Sequence, residues 1–274
     1  MPELPEVETT RLGITPHVES QTITKVTIRN YSLRWPIQSD IEDCLVGQHI
    51  NHISRRAKYL LLHCTDGTLI IHLGMSGKLR VLDSADNVAK HDHADIQFGN
   101  GITLRYNDPR RFGAILWTQD DIQHHKLLEH LGPEPLCAAF SADYLYKKAQ
   151  KRKVCIKTFI MDGKVVVGVG NIYANEALFL AKIHPKTTSS QLSNRQLEQL
   201  VTTIKQVLEK AIAAGGTTLK DFRKSDGQPG YFAQQLNVYG RDKQACHHCD
   251  NKIQTYKEAQ RATYFCPLCQ PLLN

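Results

Sequence analysis

The chain has 274 residues, with 34 Lys and Arg against 27 Asp and Glu, which gives a formal net charge of +7 at pH 7. That length suffices for two domains with cores of their own, and the mild positive charge favours an anionic partner without identifying it. No apolar run reaches membrane-spanning length, and the acidic start of the chain has no apolar signal segment. These features exclude a membrane-spanning protein and predict a reducing, intracellular compartment.

The first predicted element is a helix that begins near Glu3. Removal of Met1 would leave Pro2 with a free secondary amine, and an α-amino group titrates at about 7.7–8.0, so a useful fraction is uncharged at working pH. Such an amine can attack an electrophilic sugar carbon or an aldehyde and form a Schiff-base-type intermediate, with Glu3 and Glu6 close enough to move protons. The structural alternative is that proline and acidic residues simply favour the start of a helix.

The front half of the chain predicts many short strands joined by tight turns. Asp66-Gly67 and Asn100-Gly101 each separate two apolar or alternating runs, which is strong hairpin chemistry. We therefore expect an antiparallel β-sandwich in this half. The predicted strands cover residues 22–28, 59–64, 68–73, 94–98 and 102–106.

Three residues on predicted loops of this half are candidate contact residues. Lys58 ends a basic run directly before a strand, where it belongs either to a solvated face or to a phosphate-facing edge. Met75 lies in a glycine-rich turn, and the pattern favours a core residue over a ligand. His91 belongs to a His-Asp-His run, for which we favour a surface or phosphate contact because no third and fourth metal ligands are evident.

The segment 107–113 places two arginines beside an aromatic residue on a loop braced by proline and glycine. An arginine such as Arg110 can hydrogen-bond an orphaned base, and an aromatic wedge such as Phe112 can unstack a base step. The segment therefore suits insertion into a nucleic-acid duplex. The alternative is an ordinary loop whose Phe112 packs into the core.

Residues 132–136 are the best linker candidate, and a helical half follows them. Ser193–Gln196 reads as a capping box that opens a helix, and Gly215-Gly216 ends it. Lys153 closes a run of five cations in seven residues, which is either a solvated helix face or a nucleic-acid contact. Asn171 follows a glycine turn that can expose backbone N–H groups to a phosphate. Residues 217–232 predict a flexible loop.

Four cysteines near the end of the chain form two C-x-x-C pairs that are sixteen residues apart. Four thiolates complete the tetrahedral shell of one Zn²⁺, so the predicted metal is structural; redox pairs and ordinary buried thiols are the alternatives. The residues between the pairs predict a hairpin whose tip, residues 260–263, presents Arg261 for a phosphate contact. The predicted zinc ligands are Cys246, Cys249, Cys266 and Cys269.

Together these segments resemble the formamidopyrimidine-DNA glycosylases, which are base-excision repair enzymes for oxidised purines. The resemblance covers nearly the whole chain and rests on motifs in the same order. These motifs are PELPEVE at 2–8, HLGMSG at 72–77, KHDH at 90–93, NDPRRFG at 107–113, VVGVGNIYANEALF at 166–179, DGQPGYF at 226–232 and the four-cysteine finger. The finger departs from the family at Asp250, where the family often has glycine.

The resemblance implies an α+β fold with an N-terminal antiparallel β-sandwich domain, flanking helices and a C-terminal helical domain. The helical domain would contain a helix–two-turn–helix motif and end in a zinc-finger hairpin. We expect a catalytic domain at 1–131, a linker at 132–136, a helical DNA-binding domain at 137–235 and a zinc finger at 236–274. The implied cofactor is one structural Zn²⁺. The implied protein is a cytoplasmic, nucleoid-associated monomer that binds duplex DNA containing oxidised bases or abasic sites.

The family's residue roles carry over by position. Pro2 would be the nucleophile at the anomeric carbon of the sugar, and Glu3 the acid/base partner that helps open the ring. Lys58 would serve the first strand-cleaving elimination, and Arg261 would grip phosphate and support the second. The implied DNA contacts are His91, Arg110, Lys153, Asn171, Met75 and Phe112. Of these, Met75, Arg110 and Phe112 would fill the gap left in the duplex, while the loop 217–232 would cover the extruded base.

The implied activity is that of a bifunctional glycosylase and AP lyase. It would excise 8-oxoguanine and formamidopyrimidines, and then cleave the strand by β- and δ-elimination. Two alternatives remain: the related endonuclease of oxidised pyrimidines, which shares the fold, proline and finger, and a zinc-finger DNA-binding protein without catalysis. The leucine in PELPEVE and the loop 107–113 favour the purine enzyme, and the second alternative leaves the N-terminus without a function.

Overall fold

The computed structural model describes residues 2–83, 87–217 and 232–272, which belong to two compact units. The first unit consists of Met1–Glu129 and Ala214–Ala233, and the second of His130–Ala213 and Gln234–Asn274. The predicted linker and the boundaries of the helical domain and finger stay predictions. Among the described residues, none of the helices combines the length and the apolar character that crossing a bilayer requires.

The first unit begins with helix α1 (Leu4–Val18) and contains two four-stranded antiparallel sheets. One sheet has the strand order β1-β6-β7-β5 and the other the order β2-β3-β4-β8. A short helix α2 (Ile41–Leu45) lies between β1 and β2 in the chain. The strands are β1 (Ile23–Ile28), β2 (Ile50–Arg56), β3 (Tyr59–Cys64), β4 (Thr68–His72), β5 (Lys78–Leu82), β6 (Asp92–Phe98), β7 (Thr103–Asn107) and β8 (Ala114–Thr118).

The predicted hairpins of the first unit are confirmed. Asp66-Gly67 lies between β3 and β4, and Asn100-Gly101 lies between β6 and β7, each pair of strands being antiparallel. Gly101 has a φ of 86°, a conformation that costs glycine little. The antiparallel sandwich predicted for this half is thus present, with β2, β5 and β8 as strands that the apolar pattern alone did not single out.

Both sheets and α1 contribute to one apolar core. Val7 and Ile14 of α1, Leu62 of β3 and Leu104 of β7 belong to the same buried cluster. Each aliphatic side chain of this kind contributes about 1.5–3 kcal/mol when it is fully buried. Because α1 is anchored in this core, Pro2 and Glu3, which directly precede it, are attached to a well-packed helix.

The second unit is helical and ends in a two-stranded hairpin. The capping box is confirmed, because the Ser193 N–H donates to Gln196 Oε1 at 3.0 Å and the Gln196 N–H donates to Ser193 Oγ at 3.3 Å. The elements are α3 (Ala142–Ala149), α4 (Ile156–Ile160), α5 (Asn171–Leu180), α6 (Asn194–Ala213), β9 (Gln254–Glu258) and β10 (Arg261–Phe265).

The hairpin tip differs from the prediction. Its turn consists of Ala259 and Gln260, whose φ angles are 44° and 63°, and Arg261 is already the first residue of β10, paired with Glu258. Assigning the tip to residues 260–263 was therefore wrong. A two-residue turn with positive φ at both positions matches the twist of the flanking strands, and this geometry prevails although the turn has no glycine.

The predicted loop 217–232 lies outside the described residues except for its two ends. Thr217 and Phe232 are both buried, and the Phe232 N–H donates to the carbonyl of Gly216 at 3.2 Å. The two ends of this segment are therefore held next to each other in the first unit.

Candidate functional site

The front end of the chain is buried in the first unit. Pro2 is buried, and Glu3 and Glu6 each have a relative exposure of 2%. Pro2 and Glu3 directly precede α1, with Glu3 as its N-cap. Pro2, whose nitrogen would become a free amine only after removal of Met1, and two carboxylates thus lie buried at one helix start.

Glu6 connects this front end to the beginning of the loop 217–232. One carboxylate oxygen accepts the Glu3 N–H at 2.7 Å, and the other accepts the Thr217 N–H at 2.8 Å. A Cβ at Gly216 would come within 3.2 Å of the same carboxylate, so glycine permits the close approach. These contacts make Glu6 an anchor for the two chain segments, which is a role that its place in the sequence does not reveal.

Lys58 lies in the turn between β2 and β3, directly after Ala57, whose φ is 53°. The Arg55 guanidinium donates to the carbonyl of Ala57 at 2.9 Å and to one Glu8 oxygen at 2.8 Å. Arg11 donates to the other Glu8 oxygen at 2.6 Å, so one carboxylate ties α1 to the Lys58 turn. Although burial alone would raise it, the hydrogen bonds from Arg11 and Arg55 keep the pKa of Glu8 below its usual range.

His72, at the end of β4, is an uncharged neighbour of Lys58. Desolvation, followed by the positive charges of Lys58 and Arg34, lowers the pKa of His72 to about 4. Its Nδ1 accepts the Gly74 N–H at 3.0 Å, which requires that nitrogen to be unprotonated. Nothing in the sequence distinguishes His72 from the rest of the turn at 72–77.

The two loops that carry Met75 and residues 110–112 also belong to the first unit. Met75 is half-buried, Arg110 is exposed and Phe112 is 40% exposed. The Arg110 guanidinium lies over the Phe112 ring, 4.9 Å from its centroid, which is a cation–π geometry. The alternative in which Phe112 packs into the core is therefore wrong. A pocket of about 380 Å³ beside this loop includes Arg34 and Arg111 in its lining.

His91 lies beside this region at the start of β6. It is half-buried, and its ring centroid is 6.4 Å from that of His93 in an edge-to-face arrangement. His93 is buried and hydrogen-bonds the carbonyl of Asp108 at 2.7 Å. His93 is thus a structural residue, which leaves His91 as the member of the run with access to a ligand.

In the second unit, donors from two helices hold the finger hairpin. Lys157 of α4 is only 1% exposed and donates to Thr263 Oγ1 at 2.6 Å and to the carbonyl of Ala262 at 3.2 Å. Asn171, at the start of α5, donates its amide to the same carbonyl at 3.0 Å. We predicted a phosphate contact for Asn171, and the structure shows its amide turned to the hairpin. The role of Lys157 was missed; its one sequence signal is a lysine within an apolar helical stretch.

A buried carboxylate fixes the segment that leads to the finger. One oxygen of Glu176 accepts the backbone N–H groups of Val238 and Tyr239 at 2.9 Å, and the other accepts the N–H of Asn237 at 2.8 Å. The sequence contains no local signal for this contact. Within the same unit Lys153 and Arg261 are exposed, and a pocket of about 380 Å³ includes Arg152, Lys157 and Arg261 in its lining.

The four predicted zinc ligands converge. Their Sγ atoms all lie within 4.8 Å of one another, and the separations between Cys246 and Cys269 and between Cys249 and Cys266 are 3.9 and 3.4 Å. Sulfurs bound tetrahedrally at ~2.3 Å from zinc would lie roughly 3.8 Å apart, so the donor set fits Zn²⁺. Within the described parts of the chain, these cysteines are the only cluster of three or more metal-ligating side chains.

The neighbours of the cysteines are structural. The His248 ring lies 4.9 Å from that of Phe179, so His248 packs against α5 rather than joining the ligands. Asp250 has a φ of 58°, which explains why glycine often stands at this position in the family that the sequence resembles.

Sequence comparisons agree with this geometry. Residues 1–115 match the family model described as the formamidopyrimidine-DNA glycosylase N-terminal domain, and residues 131–223 match its H2TH domain. Residues 243–272 match a zinc finger found in FPG and IleRS. The chain is 57% identical, over all 274 of its residues and 98% of the relative, to a protein of Hydrogenovibrio crunogenus named formamidopyrimidine-DNA glycosylase. This chain belongs to the formamidopyrimidine-DNA glycosylase family. Its one structural Zn²⁺ is held by the four-cysteine finger of that family.

Further members of this family match the chain over nearly its whole length. A relative so named from Saccharophagus degradans is 55% identical over 98% of this chain and 100% of its own length. The crystal structure of a Lactococcus lactis glycosylase with DNA containing an AP site has a TM-score of 0.89 at 34% identity, covering 98% of this chain and 99% of that one. The MutM protein of Thermus thermophilus has a TM-score of 0.89 at 35% identity and covers both chains fully. The predicted fold class is confirmed.

Proposed function

We propose that this chain is a DNA glycosylase and AP lyase that excises oxidised purines from duplex DNA. The observation that carries the proposal is the buried front end, where Pro2, Glu3 and Glu6 lie together at the start of α1. Burial of two carboxylates beside the residue that would carry the free amine supports the proposal, because they are candidate proton carriers next to a candidate nucleophile. Solved glycosylases of the family are described in complex with DNA that contains Fapy-dG or an abasic site.

The first step is assigned to the Pro2 amine. Its lone pair attacks the anomeric carbon, the glycosidic bond breaks, and the base leaves with the bonding electrons and takes up the proton that the proline nitrogen loses. Glu3 then supplies a proton to the ring oxygen as the ring opens and a protein–sugar iminium forms. Glu6 positions both segments through its two backbone contacts.

The iminium acidifies the neighbouring C–H bond, so strand cleavage can follow from the same intermediate. Lys58 is assigned to the first elimination, in which a proton leaves the adjacent carbon and the 3′ phosphate departs. Arg261 is assigned to the second elimination, in which the 5′ phosphate departs, because an arginine at the start of β10 can hold a phosphate oxygen through two hydrogen bonds.

The DNA contacts are assigned to residues of both units. Met75, Arg110 and Phe112 fill the gap left by the extruded nucleotide, whose extrusion costs about a few kcal/mol. The exposure of Arg110 and Phe112 and the partial exposure of Met75, on adjoining loops, support this role. His91 and Lys153 are assigned to the phosphate backbone, and so is Asn171, whose amide has a second N–H besides the one that it donates to the Ala262 carbonyl. The protein acts as an intracellular monomer at the genome, and the finger zinc is structural and takes part in no step.

The test compares two forms of the full-length protein, one with a short extension before Pro2 and one with the same extension after Asn274. Each is incubated with duplexes containing 8-oxoguanine opposite cytosine, and strand cleavage and borohydride trapping are measured. The N-terminal extension removes the free amine, so it should abolish both signals while the C-terminal extension leaves them intact. Undiminished trapping by the blocked form would refute the proposal, and absence of cleavage by either form would leave only DNA binding.

A second substrate class is favoured by one observation. A solved Lactococcus lactis member is described with DNA that contains an oxidized pyrimidine, at a TM-score of 0.90 and 35% identity to this chain. A duplex containing thymine glycol, assayed beside the 8-oxoguanine duplex, measures the preference. Faster cleavage at thymine glycol would assign the chain to the pyrimidine-specific alternative.

A further inference from the structure

Asp108, directly after β7, lies between two loops of the first unit and has a relative exposure of 0%. We infer that Asp108 is a positioning residue that joins the Met75 loop to the loop of residues 110–112, so that Met75, Arg110 and Phe112 enter the duplex as one preformed wedge. The inference rests on the proposed function, since it specifies how the base gap is filled. It assigns no chemistry to Asp108 itself.

The carboxylate of Asp108 receives hydrogen bonds from both loops. Its Oδ1 accepts the Ser76 hydroxyl at 2.6 Å and the Arg110 N–H at 3.3 Å. Its Oδ2 accepts the Gly113 N–H at 2.9 Å. The Arg110 N–H also donates to Ser76 Oγ at 3.1 Å, which closes a small network between the residues that flank Met75 and Phe112.

The strand beneath the loops completes this network. The Tyr106 hydroxyl donates to Asp108 Oδ2 at 3.2 Å, and burial, followed by the Asp108 charge, raises the pKa of Tyr106, so the hydroxyl remains a donor. The Asp108 N–H donates to the carbonyl of His91 at 3.0 Å, and His93 hydrogen-bonds the Asp108 carbonyl. The carboxylate and backbone of one residue therefore connect both loops to the start of β6.

The two loops also approach each other at backbone distance. A Cβ at Gly74 would lie 2.4 Å from the Phe112 carbonyl carbon, and a Cβ at Gly113 would lie 2.5 Å from the carbonyl oxygen of His72. Gly74 has a φ of 62°, a left-handed conformation that side chains disfavour. Such contact leaves little room for either loop to move alone.

The chemistry of the network requires a carboxylate. Both oxygens face donors, so an asparagine at this position would point an NH₂ group at the Gly113 N–H and the Tyr106 hydroxyl, or at Ser76 and Arg110. A wedge that is ordered in advance loses less conformational freedom when the base is extruded. Asp108 should therefore affect cleavage of duplex substrates, from which a base must be extruded, and should not affect cleavage of single-stranded substrates.

The experiment uses the full-length variants Asp108→Asn and Ser76→Ala, with Thr203→Val as a matched control. Thr203 is buried in α6 and donates its hydroxyl to the Ala177 carbonyl at 3.1 Å, so this control also deletes one buried hydroxyl. Each protein is assayed on a duplex with 8-oxoguanine opposite cytosine and on a single-stranded oligonucleotide with an abasic site. The single strand has no stack to open, so it needs the Pro2 amine but no wedge.

We expect the Asp108→Asn variant to lose about tenfold in kcat/KM on the lesion duplex, as for a lost buried acceptor, while single-strand cleavage is unchanged. Ser76→Ala should show a smaller loss of the same selectivity, and Thr203→Val should match the wild type on both substrates. Equal losses on both substrates, or an unaltered duplex rate, would overturn the inference. If Asp108→Asn does not fold, Ser76→Ala decides. A wild-type protein inactive on both substrates would instead refute the proposed function.

Discussion

The two units secure their candidate functional residues by different chemistry, although the second unit also has one buried carboxylate, Glu176, that accepts N–H groups ahead of the finger. In the first unit, carboxylates accept backbone N–H groups: Glu6 does so at the front end and Asp108 does so between the loops. In the second unit, the hairpin that carries Arg261 is held by donors, since Lys157 and Asn171 give hydrogen bonds to its carbonyls, and by four sulfurs that bind zinc.

This difference follows from the groups that need partners in each segment: backbone N–H groups in the first unit, and a small hairpin with exposed carbonyls in the second. The loops and helix start of the first unit have unsatisfied N–H groups, for which a carboxylate is the strongest acceptor. The hairpin has only two strands, which are marginally stable alone, so it needs a metal and anchors to its outward carbonyls. The anchored segments of the first unit should therefore respond to loss of negative charge, and the hairpin of the second unit to loss of zinc or of a donor.

Removal of zinc should have the largest effect, because it removes the main support of the hairpin in the second unit. Structural zinc contributes about 10–16 kcal/mol in small finger peptides. A chelator, or the variant Cys249→Ser, should abolish hydrogen-exchange protection in β9 and β10, while β3 and β4 keep theirs. The matched control is Cys137→Ser, because Cys137 is exposed and outside the cluster. Retained protection of the hairpin without metal would show that its donors alone suffice.

The variant Glu6→Gln should disrupt the carboxylate contacts that hold the front end of the first unit. Glutamine can offer one oxygen but turns an NH₂ group toward either the Glu3 or the Thr217 N–H, so we expect a loss of about 3 kcal/mol in the free energy of unfolding. Borohydride trapping should slow as well, because the front end is no longer fixed. Glu198→Gln, on the exposed face of α6, is the control. Wild-type trapping and stability in Glu6→Gln would remove the anchoring role.

The variant Lys157→Met keeps the length of the side chain but removes both hydrogen bonds to the hairpin. A hydrogen bond from a charged group contributes about 1.5–3 kcal/mol, so unfolding of the hairpin should become easier by roughly 2–3 kcal/mol. Hydrogen exchange of residues 261–263 reports this effect. Lys210→Met, at an exposed position of α6, should leave that exchange unchanged. Equal exchange in both variants would mean that zinc alone secures the hairpin.

A smaller effect should come from pH, which changes the stability of the first unit through His72. The pKa of His72 is lowered from 6.5 to about 4, chiefly by desolvation. His72 therefore becomes protonated at a lower pH in the folded protein than in the unfolded chain. The contribution of neutral His72 to the free energy of unfolding is complete above pH ~6.5 and is lost as the pH falls toward 4. About 2 kcal/mol of it is lost by pH 5.

Urea unfolding of the wild type and of His72→Asn at pH 7 and pH 5 measures this loss. The asparagine oxygen can still accept the Gly74 N–H, but it does not titrate. The wild type should lose more stability between the two pH values than the variant does. The same loss in both proteins would show that other groups titrate in this window.

The sequence predicts those parts of the molecule that short-range chemistry specifies. Asn100-Gly101 predicts its hairpin, Ser193–Gln196 predicts the start of α6, and the spacing of the cysteines predicts the metal. The residues that arrange the sites are different. Glu6 meets Thr217 across 211 positions of sequence, and Lys157 meets Thr263 across 106. A single chain contains no local pattern for such partners, so these anchors became visible only in the fold.

The central claim is that the amine of Pro2 forms the covalent bond to deoxyribose. Mass spectrometry of the borohydride-trapped complex after tryptic digestion tests it most directly. We expect the reduced sugar adduct on the peptide of residues 2–11, at its N-terminal nitrogen, with Met1 absent. An adduct on a peptide that contains Lys58 would contradict the claim.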